Sequence, residues 1–149
     1  MKDGQIMEIE WQCNRLNDAF AFFLDRKEYQ KVADLFTTDG VFLRNGVKLV
    51  GRQEIVAALS KRPANLVTRH VTTGAHFLSI TVNRAEAVSC KRSYFGMLAG
   101  EPPAGFKGDQ VALLDFEDTF TLTDDGWRIA QRITKPILLA DALRASFGT

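Results

Sequence analysis

The chain has 149 residues, 46% hydrophobic and 25% charged, with a net charge of +1. This is enough for one domain whose core needs neither a disulfide nor a metal to fold, and the composition excludes a disordered chain. The balanced charge argues against a dedicated nucleic-acid binder, which would carry a basic excess or stripe.

The paired cations Lys27 with Lys31, and Lys61 with Arg62, therefore read as solvated surface charge. The two cysteines, Cys13 and Cys90, fit no metal or redox spacing. They read as small core residues in a reducing compartment. No apolar run reaches the length of a membrane span. Residues 1–10 lack the basic-then-apolar layout of a signal peptide. No membrane association and a cytoplasmic location are the expectations.

Helical periodicity opens the chain. Ile6, Ile9, Cys13, Leu16, Phe20, Phe23 and Leu24 fall on one stripe. Phe22 widens it, which predicts a helix end buried on more than one side. A second helix follows, with Tyr29, Val32, Ala33 and Phe36 as its apolar face. Turn residues Thr37, Thr38, Asp39 and Gly40 stop it. Asn45-Gly46, flanked by short apolar runs, predicts a type I′ hairpin, because both residues tolerate positive φ. A third helix is expected over residues 52–61, since Pro63 disfavours helix at its predecessor.

From residue 65 the period becomes two. Strands are predicted over residues 66–82, 85–99, 109–122 and 127–134, with a wide Pro/Gly loop at 101–108. Helices followed by hairpin-linked strands predict an α+β domain, with helices closing one face of a curved antiparallel sheet around an apolar pocket. Strands this long must bend, at bulges or glycines such as Gly74 and Gly96.

Polar residues on apolar faces are the candidates for chemistry. His70 and His76 would share a face if their strand were unbroken, and Gly74 is where it would break. Two histidines without an acidic cluster make a poor metal-ligand set, so no metal is expected. Asp25 directly follows the most apolar stretch of the first helix, and a capping role there is one reading. Asp118 interrupts the alternation Leu114, Phe116, Phe120, Leu122, and a carboxylate on a buried face needs a partner. Arg92 and Arg132 are the two candidates. Tyr94 shares its strand face with Val88 and Cys90, either as core or as a phenol offered to a ligand.

Several of these residues stand in a familiar order. The run from Phe20 through Asp25 to Tyr29, then Leu35-Phe36 and Asp39-Gly40-Val41, resembles the opening of SnoaL-like proteins, members of the nuclear transport factor two and ketosteroid isomerase superfamily. Gly51-Arg52, Thr68-Arg69-His70, Glu117-Asp118-Thr119-Phe120, Gly126-Trp127-Arg128-Ile129 and Arg132 continue it, over about residues 6–135. The pattern is most similar to the scytalone dehydratase and hexachlorocyclohexane dehydrochlorinase branch.

The resemblance implies a cone-shaped fold and a His70–Asp25 dyad, the histidine acting as base and the aspartate orienting it. Histidine is the side chain whose ordinary titration range spans neutral pH. Tyr94 and Arg132 would polarise or anchor substrate, and Phe20, Phe23 and Phe116 would line the pocket. The implied activity is a cofactor-independent lyase or isomerase reaction on a small hydrophobic, cyclic molecule. There are departures from the branch. Leu24 stands in place of a tyrosine, Phe20 in place of a basic residue, no second pocket histidine is matched, and Arg132 needs a bulge to face inward. They leave a second reading open, a non-catalytic ligand-binding or accessory domain. A third is an assembly role, as a homodimer or homotrimer joined through Val67, Val71, Phe77, Phe95 and Met97 on the outer sheet face. The segment after residue 135 reads as a tail or short helix.

Overall fold

The computed structural model describes residues 1–147. Helix α1 spans Asp3–Asp25, α2 Tyr29–Asp34 and α3 Arg52–Leu59. The strands are β1 (Phe36–Arg44), β2 (Val47–Val50), β3 (Leu66–Thr72), β4 (His76–Ile80), β5 (Arg84–Met97), β6 (Val111–Thr123) and β7 (Gly126–Leu139), followed by a 3-10 helix, Asp141–Phe147. The sheet runs β2-β1-β7-β6-β5-β3, with β4 also paired to β5. It is curved and unclosed, and the helices share one core with it. All neighbours are antiparallel except β1 and β7, which run parallel. None of the described helices is long and apolar enough to cross a membrane.

The long strands bend where the register slips. Between β6 and β7, Thr119 pairs with Gln131 but Phe120 pairs with Ile129, so Ala130 is an extra residue. A second slip leaves Ile137 extra beside Pro136, a place where a strand tolerates proline. This is why β7 continues past residue 135 to Leu139. The predicted strand over residues 66–82 is two strands, broken at Thr73-Gly74-Ala75. Both halves pair with β5. The break faces α1, and Asn14 Oδ1 accepts the Ala75 N–H at 3.0 Å.

The Asn45-Gly46 turn has φ of 51° and 76°, as type I′ geometry requires. The stop after α2 is itself strand: β1 begins at Phe36, and residues 37–40 form an irregular bend between its two pairings with β7. The core joins the α1 stripe, Val32, Ala33, Ile55 and Leu59 to Phe36, Phe42, Phe116, Phe120 and Ile129 of the sheet. Phe22, expected inside, is 50% exposed and lies under the Arg26 guanidinium.

The bend in β1 requires glycine at position 40. A Cβ there would stand 2.9 Å from Phe36 Cβ and 3.0 Å from the Thr37 carbonyl oxygen. Backbone cannot yield as a flexible side chain would. Gly40→Ala should therefore lower stability by about 1–3 kcal/mol, read as a reduced urea midpoint with an unchanged m-value. An unchanged midpoint would show that the bend relaxes freely.

Candidate active site

Asp25 is the last residue of α1, and His70 lies in the middle of β3. The chain turns sharply after Asp25, with Lys27 at a φ of 61°. The helix end is tied to the loop after α3 by Arg62 Nη1 donating to the Leu24 carbonyl at 3.2 Å. Lys27 Nζ also donates to the Ala64 carbonyl. Held there, Asp25 does not cap its own helix. Its Oδ1 lies 2.6 Å from His70 Nδ1 and accepts the Thr68 hydroxyl at 2.9 Å. Its Oδ2 accepts the His70 backbone N–H at 2.9 Å.

Both side chains are nearly sealed, His70 at 8% and Asp25 at 4% exposure. Burial pushes the Asp25 pKa up. The hydrogen bond and charge of the imidazole, the His70 N–H and the Thr68 hydroxyl outweigh it, so the carboxyl sits below its usual range. An ionised Asp25 fixes the proton on His70 Nδ1. Nε2 is then the basic nitrogen.

His70 forms part of the wall of a cavity of about 500 Å³, a usual size for a small-molecule site. Phe20, Phe42, Leu114 and Phe116 make its apolar floor. The end of β1, the loop after α3, and Leu143 and Ser146 of the 3-10 helix make its rim. The C-terminal segment thus covers part of the opening as a 3-10 turn; positions 148–149 lie outside the described residues.

Beneath the floor lies a buried ion pair. The Ala130 bulge reverses the alternation of β7, so Arg132 points inward like Trp127 and Ile129. Its Nε and Nη2 donate to the two Asp118 oxygens, both at 2.7 Å, and Nη2 also reaches Asn17 Oδ1 at 3.0 Å. The guanidinium lies 4.4 Å from the Phe20 ring centre and 4.6 Å from that of Phe116. It is fully buried. Of the two candidate partners for Asp118, Arg132 is therefore the one used.

The sequence-predicted residues separate into two groups. Asp25, His70, Phe20 and Phe116 come together. Arg132 supports the floor and does not line the cavity; Phe23 packs beside Phe22 at the edge of the core. Tyr94 is on the outer face, edge-on to the Phe106 ring and hydrogen-bonded to Arg92. The parity of β5 is the reverse of the expected one. Its inner face is Ala85, Ala87, Ser89, Lys91 and Ser93, with Phe95 lining the cavity. The inward face is thus mostly small, and the outward face carries Arg84, Glu86 and Arg92.

Of the outer-face set, Val71 and Met97 are exposed, Val67 is half-buried, and Phe77 packs against the core. His76 is exposed, away from His70. Cys13 is buried; burial, then the Asp118 charge, pushes its thiol up to about 12, which leaves it unreactive.

Three groups were not legible as site residues. Thr68 orients Asp25, and its place two residues before His70 on the same strand face was the available signal. Arg62 lines the cavity with Lys61, so this pair is not merely solvated surface charge. Lys91 is fully buried, and its ammonium has no protein hydrogen-bond partner among the described residues. Burial, then the Arg132 charge, lowers its pKa to about 7, with Asp118 opposing. The polar run Ser89, Lys91, Ser93 at every second position was its only trace.

A SnoaL-like domain family matches residues 5–133. No curated protein matches the sequence. Among solved structures, a candidate scytalone dehydratase from Novosphingobium aromaticivorans aligns with a TM-score of 0.75 at 18% identity, over 93% of this chain and 89% of that one. A protein of unknown function from Mycobacterium tuberculosis aligns at 0.78 and 22%, over 96% and 79%. A type 2 hexachlorocyclohexane dehydrochlorinase aligns at 0.71 and 11%, over 92% and 94%. At these identities the likeness establishes the nuclear transport factor two-like fold.

The two buried charges should respond in opposite ways. Asp118→Leu strands Arg132 and should cost about 3–5 kcal/mol, while the double change with Arg132→Met should recover much of that loss. Additive losses in a denaturation cycle would refute the pairing. Lys91→Met should stabilise by about 1–4 kcal/mol at neutral pH. Between about pH 7 and its ordinary value of 10.5 the unfolded chain holds a proton on Lys91 that the folded chain has released. Folding stability from this group therefore rises with pH across that window, and the methionine variant should lack the rise. An unchanged pH profile would show that the ammonium is satisfied in the fold.

Proposed function

The chain belongs to the SnoaL-like domain family, and we propose that it is a cofactor-independent lyase or isomerase for a small hydrophobic ring compound, with His70 as general base and Asp25 as its orienting partner. The observation that carries this reading is the 2.6 Å contact of His70 Nδ1 with a buried Asp25 at the wall of an apolar cavity. The dehydratase and dehydrochlorinase among the structural neighbours support the reaction class.

In the forward step, His70 Nε2 takes a proton from a ring carbon next to a carbonyl or to a carbon bearing a leaving group. The C–H electron pair then either forms a C=C bond as the leaving group departs with its own pair, or moves into the carbonyl as an enolate. The enolate can accept the proton back at a different carbon. The imidazolium formed is paired with Asp25. That pairing is stronger in a cavity that excludes water than it would be in solution. Neither route consumes a redox equivalent.

A binding-only role is the second reading. It is favoured by Arg132 and Tyr94, neither of which lines the cavity, so neither anchors a substrate there.

A screen of cyclic hydroxy-ketones and related elimination substrates tests the choice. His70→Ala should lower kcat/KM by about 10²–10⁴-fold, and Asp25→Asn should lower kcat with a smaller change in KM. Full turnover by both variants would exclude the base reading and leave ligand binding as the role.

A further inference from the structure

The wall of the cavity carries charge of one sign. Arg44 at the end of β1 and Lys61 and Arg62 just after α3 all line it, and no aspartate or glutamate does among the described residues. Asp25 is no counterion for them, being committed to His70 and Thr68. Arg62 donates to a carbonyl and to the Thr68 hydroxyl, neither of them an anion. Arg44 is half-buried, and its guanidinium has no hydrogen-bond or salt-bridge partner among the described residues. Burial, and then the charge of Arg62, work against its cationic form, with Tyr29 opposing. Like charges gathered on a partly desolvated wall raise the free energy of the empty site, and an anion docking among them relieves it.

We propose that the ligand of this cavity is an amphipathic carboxylic acid, its ring-sized apolar body against Phe20, Leu114 and Phe116 and its carboxylate held by Arg44, Lys61 and Arg62. The planar guanidinium fork suits a carboxylate. The inference rests on the base reading for identifying this cavity as the functional site, and it names the substrate class.

The head site is also connected to the base. Arg62 Nη2 donates to Thr68 Oγ1 at 3.0 Å, Thr68 Oγ1 donates to Asp25 Oδ1 at 2.9 Å, and that same oxygen meets His70 Nδ1 at 2.6 Å. A carboxylate bound at Arg62 therefore acts on the group that orients the imidazole.

Isothermal titration of the full chain with 2-naphthoate and with its uncharged isostere 2-naphthamide tests the proposal. The acid should bind at least about tenfold more tightly, as charge-assisted hydrogen bonds would give. That preference should shrink with added salt and fall severalfold in the double variant Arg44→Gln, Lys61→Gln, which keeps only Arg62 of the three. Lys61→Gln alone, at an exposed position, should reduce it without a change in thermal midpoint. His70→Ala should keep the preference. Equal binding of acid and amide, a preference untouched by the double variant, or no binding of either compound would overturn the proposal. The two readings fail separately. Equal binding beside His70-dependent turnover removes the acid and leaves the base. A preference for the acid, with no His70-dependent turnover of ring carboxylates, does the reverse.

Discussion

One guanidinium sets the geometry of the whole interior. Arg132 reaches from β7 to Asp118 on β6 and to Asn17 on α1, so a single planar group fixes the helix against two strands. Burying it carries a large desolvation cost, and only good geometry offsets that. Two short bonds to the carboxylate, a third to the amide, and the Phe20 and Phe116 rings within 4.6 Å supply it. From Asn17 to Asp25 the helix runs eight residues, about 12 Å of rigid rod. The position of the Asp25 carboxylate beside β3 follows from an anchor more than two turns away.

The interior is accordingly layered. Deepest is a polar and charged stratum on β5, β6 and β7: Ser89, Lys91, Asp118 and Arg132. Above it lies an aromatic stratum in which Phe20 meets Phe36, Phe42 and Phe116 edge-on, with centroids 5.6–6.3 Å apart. The cavity stands over that stratum, with the imidazole in its side wall. The aromatic layer separates the Arg132 charge from the cavity, which is why an arginine that looks like a substrate anchor in sequence is a structural one in space.

What could be seen in advance was local or matched a family order. The α1 stripe, the Asn45-Gly46 turn and the end of α3 before Pro63 were legible because helix period, positive-φ chemistry and proline sterics act over a few residues. The meeting of Asp25 with His70 is a contact across 45 residues and was legible only through resemblance. The errors share a cause. Alternation gives two faces but not which one is inside, and on β5 the small, polar face is the buried one. That orientation sent Tyr94 outward and brought in Lys91 and Phe95. The bulge at Ala130 was required by the inward Arg132 but has no signature in the residues around it. Arg44, Lys61 and Arg62 converge through the ends of different elements, which no spacing encodes.

The cavity wall is built from two kinds of parts. The base and its partner stand on α1 and β3, elements clamped through the core. Most of the charge and much of the rim come from the end of a hairpin strand, the loop after α3 and the 3-10 turn at Leu143. Arg62 links the charge of the rim to the pair in the wall through Thr68. Substitutions at the rim can accumulate without disturbing the pair in the wall. In a lineage of such proteins, the choice of ligand and the ability to move a proton can then diverge at different rates, with one arginine recording how far they remain coupled.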